Sequence, residues 1–222
     1  MNGEATLEST NSFSIKKTLY FIIKRLFDIV CSLIGCIFLL PIALIVKISY
    51  VLNKDYASIF FSQDRIGKNG KTFKFYKFRS MVVDADKILE ELLKNDKEAR
   101  KEYKLNRKFK NDPRITKMGK ILRRTSLDEL PQLVNVLKGD MSLIGNRPYL
   151  PREKEDMGQY FDTIVKTKPG LTGYWQVNGR SNTTFEERPK LEEYYSNHAS
   201  LKMDIKILFK TVYVVLFHKG AE

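Results

Sequence analysis

The chain has 222 residues and a mass of 25.9 kDa, enough for one globular domain and a membrane-associated element. Its formal charge of +13 and isoelectric point near 9.6 predict anionic partners: nucleic acid, acidic lipid headgroups or a phosphate-rich substrate. Hydrophobic residues make up 43% and aromatic residues 12%, which excludes a wholly disordered chain.

Cysteine and histidine positions indicate neither a disulfide nor a zinc site. Cys31 and Cys36 both lie in an apolar run, so no disulfide is expected. His198 and His218 have no partners at ligand spacing, so no structural zinc site is expected.

The N-terminal region predicts a membrane segment. Residues 1–15 are polar and unpatterned, typical of a flexible tail, whereas residues 29–46 contain no charge and reach the lower length limit for a spanning helix. Basic residues flank this run on both sides: Lys16, Lys17, Lys24 and Arg25 before it, Lys47 and Lys54 after it. Because positive flanks stay in the cytoplasm and Pro41 kinks a helix, we expect residues 16–52 to form a re-entrant helix. A kinked spanning anchor is the alternative.

The remaining residues, 53–222, predict a domain of mixed α and β structure. Aromatic-rich stretches at residues 57–62 and 72–79 flank Asn69-Gly70, a strong hairpin signal. Helices are predicted at residues 84–103, 116–124, 127–137, 186–195 and 203–217. The stretch 145–182, rich in glycine and proline, is expected to be mostly loop. The last helix is amphipathic, which favours either the membrane surface or packing on the domain core.

Two adjacent carboxylates, Asp128 and Glu129, are the first candidates for chemistry. They follow Ser126 at the spacing of a capping box, in which they would only complete a helix N-terminus. A carboxylate held at the positive end of a helix also stays ionised, and such a group can attack phosphorus to form an acyl phosphate. Its neighbour could orient the nucleophile, accept a proton or help to hold a divalent metal. The pair alone leaves both interpretations open.

Arginines near this pair favour the functional interpretation. Arg123 and Arg124 precede the carboxylates, and Arg147 lies between Gly145 and Pro148, which fix the loop that presents it. Guanidinium groups bind phosphate oxygens through two parallel hydrogen bonds. Surface salt bridges are the alternative for each arginine taken singly, but several arginines on ordered turns beside two carboxylates indicate a phosphate site.

Two further motifs point in different directions. Lys168 and Arg180 add cations on tight turns, with Trp175 between them as a candidate stacking surface. Asp84 and Asp86 match the Asp-x-Asp pattern of some metal-binding enzymes, but they open a predicted helix, where its dipole favours acidic residues. We therefore interpret these two aspartates as helix-capping residues. The sequence has no glycine-rich loop of the dinucleotide-binding or P-loop type.

Six ordered motifs carry a resemblance to a known family. They are Lys24-Arg25-Leu-Phe-Asp28, Tyr76-Lys-Phe-Arg-Ser-Met81, Arg124-Thr-Ser-Leu-Asp-Glu-Leu-Pro-Gln132, Leu137-Lys-Gly-Asp-Met-Ser142, the Gly-Asn-Arg-Pro turn at 145–148 and the stretch from Lys168 to Arg180. With these motifs the chain resembles the bacterial sugar transferases of the monotopic phosphoglycosyl transferase superfamily. These are undecaprenyl-phosphate sugar phosphotransferases that start capsule, exopolysaccharide and O-antigen repeats.

The resemblance implies a reaction and a site. Members of this family transfer a sugar-1-phosphate from a UDP-sugar to undecaprenyl phosphate through a phosphosugar-aspartate intermediate, and they release UMP. Asp128 would be the nucleophile, Glu129 its partner, and both would hold Mg2+. The phosphate-binding residues would be Arg147, Arg123, Lys77 and Arg79, and the candidates for the nucleotide or sugar loops would be Lys168, Trp175, Gln176 and Arg180.

The resemblance also implies a fold and a location. We expect a small, mostly helical α/β catalytic domain with a short β-hairpin, docked on the cytoplasmic face of the bacterial cell membrane by a re-entrant helix and amphipathic surface helices. Anionic membrane lipids are expected partners, a homodimer is a further possibility, and nucleic acid is not expected. Larger relatives carry a multi-span bundle and an extra domain, so this chain resembles the bare catalytic unit.

The sequence departs from the family pattern at two positions. Asn146 replaces a proline, which is expected to loosen the turn around Arg147, and Leu40 replaces a serine before Pro41, which weakens the expectation of a re-entrant bend. The competing classes of protein are a non-catalytic basic membrane adaptor and a nucleic-acid-binding protein. Neither would need adjacent carboxylates beside ordered arginines.

Overall fold

In the computed structural model of this protein, residues 2–106, 109–179, 183–184 and 187–216 are described. In chain order the elements are α1 (Asn2–Leu52), β1 (Phe60–Ile66), β2 (Thr72–Phe78), α2 (Ala85–Asn95), α3 (Lys97–Asn106), α4 (Lys117–Arg124), α5 (Gln132–Lys138), β3 (Ser142–Ile144), α6 (Lys154–Met157), α7 (Phe161–Ile164), β4 (Gly170–Thr172), α8 (Tyr174–Asn178), α9 (Glu187–His198) and α10 (Leu201–Leu216). Short 3-10 turns occupy Lys68–Gly70, Leu127–Glu129, Pro151–Glu153 and Gly158–Tyr160. The predicted fold class, mostly helical with small sheets that include a hairpin, is confirmed.

The helix α1 is 51 residues long and contains the predicted membrane segment. It begins at Asn2, so residues 2–14 have helical backbone where we expected a flexible tail; extending an existing helix is easier than nucleating a new one. The helix also continues through Pro41. Within Ile15–Leu52, only 11% of the most apolar 18-residue stretch is buried. In the part of the chain that the structure describes, this is the one helix long and apolar enough to cross a membrane. The predicted long apolar helix is therefore confirmed.

The predicted hairpin is confirmed as β1 and β2. Asn69 and Gly70 have φ angles of 58° and 75°, in the left-handed region that asparagine and glycine tolerate best. The first strand begins at Phe60 rather than at residue 57. Before Phe60, local hydrogen bonds form a turn instead of a strand. The Ala57 N–H donates to the Asp55 carboxylate, and the Phe60 N–H donates to the Ser58 hydroxyl.

Two predicted helices differ from those observed. The helix predicted at residues 84–103 is divided into α2 and α3, because the Asp96 carboxylate accepts hydrogen bonds from the N–H groups of Glu98 (2.8 Å) and Ala99 (3.0 Å) and so starts a new helix. The helix predicted at residues 127–137 is a 3-10 turn followed by α5, which ends before Gly139 with its φ of 88°.

Other predicted elements lie near their expected positions. The helix expected at residues 116–124 is α4, and the side chain of Thr116 caps it by accepting a hydrogen bond from the Gly119 N–H at 2.9 Å. The helix expected at residues 186–195 is α9. The stretch 145–182, expected to be mostly loop, also holds the short helices α6 to α8 and the strand β4.

The chain forms two compact units. The first comprises Met1–Phe38, Ser62–Phe75 and Gln132–Glu222, and the second comprises Leu39–Phe61 and Tyr76–Pro131. In the first unit β3 and β4 pair in parallel, with Ser142 opposite Gly170 and Ile144 opposite Thr172. Its buried apolar side chains include Ile66, Tyr149, Met157, Ile164, Phe75, Val136, Met141, Ile144, Tyr195 and Ile207.

The Lys24–Asp28 motif fastens α1 within the first unit. The Lys24 ammonium forms a 2.6 Å salt bridge with Asp204 of α10. The Arg25 guanidinium donates to the carbonyls of Val136 and Leu137, which satisfies the C-terminal end of α5. The Asp28 carboxylate accepts hydrogen bonds from the Ser142 hydroxyl and the Leu143 N–H. This motif therefore has a structural role.

The last helix, α10, has two different faces. Asp204 and Ile207 are buried, so one face packs on the core of the first unit. On the other face Phe209 is 72% exposed and Val212 is 50% exposed. The helix α10 thus packs on the core, as one of the two interpretations of the sequence predicted. The exposed apolar face is consistent with the other interpretation, which remains a prediction.

The second unit has its own core. The buried apolar residues are Leu39, Val46, Tyr50, Ile59, Phe78 and Leu122, contributed by α1, the hairpin region and α4. Leu127 and Leu130, on either side of the carboxylate pair, pack against this cluster. Full burial of one such side chain contributes about 1.5–3 kcal/mol. The turn that carries Asp128 and Glu129 is therefore anchored to a core that includes the apolar helix.

Candidate active site

Asp128 and Glu129 share one cation. The Lys77 ammonium lies 2.8 Å from Oε1 of Glu129 and 3.6 Å from Oδ2 of Asp128. Asp128 is buried, only 8% exposed, whereas the Glu129 side chain is 42% exposed. The structure thus brings together three of the predicted site residues and gives the two carboxylates different environments. We call Asp128, Glu129 and Lys77 the carboxylate site.

Close packing of α4 builds the carboxylate site. A Cβ added at Gly119 would lie 1.9 Å from the Ser80 carbonyl oxygen, so only glycine allows α4 to approach the segment after β2 this closely. On the next turn of α4 the Arg123 Nε donates to the Ser80 hydroxyl at 2.9 Å. The close contact between α4 and the segment after β2 therefore fixes the position of Arg123 relative to the end of β2, the strand that carries Lys77.

The capping-box interpretation of Asp128 and Glu129 is wrong. Ser126 has a φ of 57°, in the left-handed region, and its side chain makes no capping hydrogen bond. A non-glycine residue in this region costs on the order of 1 kcal/mol and persists only where the surrounding structure imposes it. Here the packing of Leu127 and Leu130 imposes the turn. The carboxylates are consequently not used to finish a helix.

The electrostatics of Asp128 are those of a partly desolvated carboxylate. Burial raises its pKa above the ordinary value, and the negative charge of Glu129 acts in the same direction. The cations of Lys77 and Arg123 oppose this shift and favour the ionised form. Removing water from around an anion makes it a stronger nucleophile, and the two cations keep it available as an anion.

The two arginines predicted beside this site have different environments. Arg123 is exposed, and its charge acts on the Asp128 carboxylate. Arg79 is buried, and its guanidinium donates to Asp55 at 2.9 Å and to the Ser58 carbonyl at 2.7 Å, while it stacks 4.4 Å from the centre of the Tyr50 ring. Arg123 is therefore available to a ligand, whereas Arg79 is engaged in structural contacts.

The two carboxylates of the carboxylate site are oxygen ligands of the kind that a magnesium ion prefers. Mg2+ in proteins usually binds one or two carboxylates, several waters and substrate phosphates. Asp128 and Glu129 supply two carboxylates side by side. Among the described residues there is no group of three or more histidine, cysteine or acidic side chains that could hold a metal by themselves. The donor set thus suits a metal completed by a phosphate ligand.

Arg147 belongs to the first unit, where a buried glutamate holds its backbone. The Arg147 N–H donates to Oε1 of Glu192 at 3.2 Å, and its Nη2 lies 3.8 Å from Oε1 of Glu153. Burial raises the pKa of Glu192 to about 8, while the nearby charges of Arg147 and Arg188 lower it. Glu192 was not predicted as a site residue, because nothing in the local pattern of α9 distinguishes a buried glutamate from an exposed one.

The Asn146 departure has a structural explanation. Its side-chain amide is buried and donates to the Ile164 carbonyl (3.2 Å), the Thr167 hydroxyl (3.2 Å) and the Ser196 hydroxyl (2.7 Å). These bonds attach the turn to its neighbours, so the turn is not loosened by the loss of proline as we expected. The hydrogen-bonding partners are distant in sequence, which is why the pattern could not reveal them.

The remaining predicted loop residues lie in the first unit. Lys168 is half-buried and lines a cavity described below. Trp175 is buried, its indole N–H donates to the Thr183 hydroxyl at 2.7 Å, and the Arg188 guanidinium covers its ring at 4.3 Å. Trp175 is therefore a core residue rather than an open stacking surface. Gln176 is half-buried in α8, and Arg180 lies outside the described residues.

Comparison with known proteins identifies the class. The family model for bacterial sugar transferases matches residues 19–218, nearly the whole chain. The protein belongs to the bacterial sugar transferase family, as its motifs indicated.

Individual relatives support the same family. Over 199 residues the chain is 47% identical to the undecaprenyl-phosphate galactose phosphotransferase of Salmonella typhimurium, an alignment that covers 90% of this chain and 41% of the relative. It is 39% identical over 198 residues to the exopolysaccharide production protein ExoY of Sinorhizobium fredii, covering 89% and 87% of the two chains. It is 36% identical over 209 residues to the UDP-glucose:undecaprenyl-phosphate glucose-1-phosphate transferase of Escherichia coli, covering 90% and 41%. The chain thus spans less than half the length of the first and third of these relatives.

Proposed function

We propose that this protein transfers a sugar-1-phosphate from a UDP-sugar to undecaprenyl phosphate and releases UMP. This reaction would be the first membrane step in the synthesis of an exopolysaccharide, a capsule or an O-antigen. Family membership supports the proposal, as do the names of two relatives, which specify transfer of galactose and glucose groups to undecaprenyl phosphate.

One observation carries the chemical part of the proposal. Asp128 is a buried carboxylate that faces Lys77 and lies within the electrostatic influence of Arg123. The turn that holds it packs on the same apolar cluster as the membrane-type helix α1. A nucleophilic carboxylate with cations beside it, on a core that includes an apolar helix, suits phosphoryl transfer to a lipid.

The reaction proceeds in two displacements at the phosphorus atom that bears the sugar. First, an oxygen of Asp128 attacks this phosphorus, the bond to the bridging oxygen breaks, and UMP leaves with that oxygen and its electron pair. Next, a phosphate oxygen of undecaprenyl phosphate attacks the same phosphorus, the acyl phosphate bond breaks, and the Asp128 carboxylate is regenerated. The lipid product carries the sugar through a diphosphate.

Cations are needed because both displacements bring one anion against another. Lys77 and Arg123 lie where they offset this repulsion, and Arg147 would bind phosphate oxygens through its planar guanidinium. Glu129, more exposed than Asp128, would orient the nucleophile and share the metal. When bound, Mg2+ would neutralise charge on the transferred phosphate.

We assign structural roles to Arg79 and Trp175, because both side chains are buried and hydrogen-bonded to neighbouring groups.

We also propose a location at the cytoplasmic face of the bacterial cell membrane, with α1 as a re-entrant element. Basic residues on both sides of the apolar run support this arrangement, since exporting either flank would oppose the positive-inside rule. A cytoplasmic location gives the enzyme access to UDP-sugars. The alternative is a helix that spans the bilayer, and the two are separated by an accessibility experiment described in the Discussion.

The proposed reaction is tested with the purified full chain in detergent. UDP-galactose and UDP-glucose are incubated separately with undecaprenyl phosphate and Mg2+, and UMP release is measured. We expect continuous UMP release only when both the nucleotide sugar and the lipid are present; without the lipid, the first displacement releases at most about one UMP per enzyme molecule. A membrane adaptor or a nucleic-acid-binding protein would release no UMP from any of a panel of UDP-sugars, and that result would overturn the proposal.

A further inference from the structure

A cavity of about 180 Å³ lies in the first unit beside the N-terminal part of α1. Five cationic side chains line it: Lys24, Arg25, Lys68, Lys166 and Lys168. Asp28 is the one carboxylate among its lining residues. The volume corresponds to about six water molecules at about 30 Å³ each, which is room for a phosphate group. The cavity is therefore a confined space with an excess of positive charge around it.

Only some of these cations are explained by the fold. Lys24 is paired with Asp204, and Arg25 is bonded to two carbonyl groups at the end of α5. In the part of the chain that the structure describes, Lys166 and Lys168 form no salt bridge with a carboxylate, and the Lys68 ammonium lies 5.9 Å from the centre of the Phe21 ring. Among the described residues, these three lysines therefore line the cavity without a carboxylate in salt-bridge contact.

The lysines also repel one another. Burial lowers the pKa of Lys168 below its ordinary value, and the positive charges of Arg25 and Lys68 lower it further, while Asp28 and Asp140 act in the opposite direction. The Asp28 carboxylate already accepts hydrogen bonds from the Ser142 hydroxyl and the Leu143 N–H. An anion in the cavity would relieve this repulsion and offer acceptor atoms to the three lysines.

The position of the cavity indicates where the anion comes from. Its lining residues on α1 end at Asp28, directly before the uncharged run that starts at Ile29. On the same helix Leu26 is 59% exposed and Val30 is 54% exposed, as expected for a surface in contact with lipid. In a helix that enters the bilayer at Ile29, the cavity lies at the depth of the lipid headgroups.

We propose that this cavity binds the phosphate of an anionic membrane phospholipid and so anchors the base of α1 at the headgroup layer. Lys68, Lys166 and Lys168 would donate to the phosphate oxygens, and the lipid chains would lie along the exposed apolar side of α1. The inference rests on the proposed membrane location, but not on the proposed chemistry. It assigns a ligand to a site that is separate from the carboxylate site in its residues.

The test measures lipid binding by the delipidated full chain, with no nucleotide sugar present. Phosphatidylglycerol, zwitterionic phosphatidylcholine or inorganic phosphate is added, and bound molecules are counted by native mass spectrometry. We expect phosphatidylglycerol to bind most tightly, because choline carries a cation that the lysines repel. The double variant K68Q/K166Q, which changes two exposed side chains, should weaken this binding roughly thirtyfold, the factor expected for two lost lysine–headgroup attractions.

The double variant K101Q/K120Q removes the same charge from exposed positions outside the cavity and should bind phosphatidylglycerol like the wild type. Equal binding by K68Q/K166Q and the wild type would overturn the proposal, and so would an equal loss in both double variants, which would indicate diffuse attraction. Displacement of the lipid by an equal concentration of inorganic phosphate would also overturn it and would identify a site for soluble phosphate. UMP release is measured separately, so failure of lipid binding is distinguishable from failure of the proposed reaction.

Discussion

The Lys77 ammonium lies 3.6 Å from Oδ2 of Asp128, although the two residues are far apart in sequence. The same nitrogen is 2.8 Å from Glu129, so one cation serves two adjacent carboxylates. The two carboxylates differ in exposure, and the cation of Lys77 lowers the pKa of the buried one, Asp128, against the effect of burial. A substrate phosphate or a metal ion that enters the site would compete for these groups.

The first prediction concerns the nucleophile. Asp128→Asn should reduce UMP release at least about a thousandfold, because an amide cannot form an acyl phosphate. The thermal unfolding transition should change little, since the amide has nearly the same shape as the carboxylate. Glu129→Gln is the matched variant and should retain formation of the covalent intermediate at a lower rate. A folded Asp128→Asn protein with near-normal turnover would exclude Asp128 as the nucleophile.

The second prediction concerns the pH dependence of the same residue. Lys77 lowers the pKa of Asp128, so Lys77→Met should raise that pKa. If the ionised carboxylate attacks phosphorus, the acid limb of the kcat/KM profile should move to higher pH. Lys77→Arg retains the charge and should leave the limb near its original position. A Lys77→Met profile that lost amplitude without any shift would show that Lys77 does not control the ionisation of Asp128.

The third prediction concerns Arg147. Arg147→Lys retains a positive charge but loses the planar pair of donors, so kcat/KM should fall roughly tenfold or more. Arg152→Lys, an exposed neighbour in the same segment, is the control and should have wild-type kinetics. If both lysine variants behave like the wild type, Arg147 contributes no directional contact to the phosphate.

The fourth prediction uses the raised pKa of Glu192, about 8 in the folded protein. An unfolded glutamate titrates near pH 4.3, so the folded state binds an extra proton between that pH and about 8. The contribution of Glu192 to the free energy of unfolding should therefore be highest at low pH within this window, fall as the pH rises through it and level off above about pH 8.

Glu192→Gln removes this titration while retaining an acceptor for the Arg147 N–H. Compared with the wild type, the variant should show a flatter dependence of unfolding free energy on pH and should gain stability relative to it as the pH rises. Chemical denaturation at about pH 5 and about pH 9 measures the difference. Parallel pH dependences in the two proteins would mean that Glu192 is ionised throughout this range.

The fifth prediction concerns membrane topology. Cysteines introduced at Ser9 and Ser62, in a background without Cys31 and Cys36, should both resist a membrane-impermeant thiol reagent in intact cells and both react after lysis. This result is expected of a re-entrant helix, because basic flanks on both sides of the apolar run stay in the cytoplasm. Labelling of the residue 9 site from outside, with the residue 62 site protected, would instead identify a spanning helix.

The local features of the fold follow from the sequence pattern, with one exception at Ser126. The Asn69-Gly70 turn, the helix at residues 116–124 and the long apolar helix depend on neighbouring residues or on a single helix face, so pattern and propensity suffice. The sequence pattern failed at Ser126, whose capping box does not form. There the packing of Leu127 and Leu130 on a distant core outweighs a local hydrogen bond worth about 1 kcal/mol.

The sequence by itself determined the family, the candidate nucleophile Asp128 and the long apolar helix, because motif order and an uncharged run are properties of the chain. Only the tertiary structure decided which cations serve which anions. It placed Lys77 beside Asp128, engaged Arg79 with Asp55 and buried Glu192 against the Arg147 backbone. These pairings depend on burial and on contacts between residues that are distant in sequence, and the Coulomb energy of a charge pair depends on both its distance and its exposure to water.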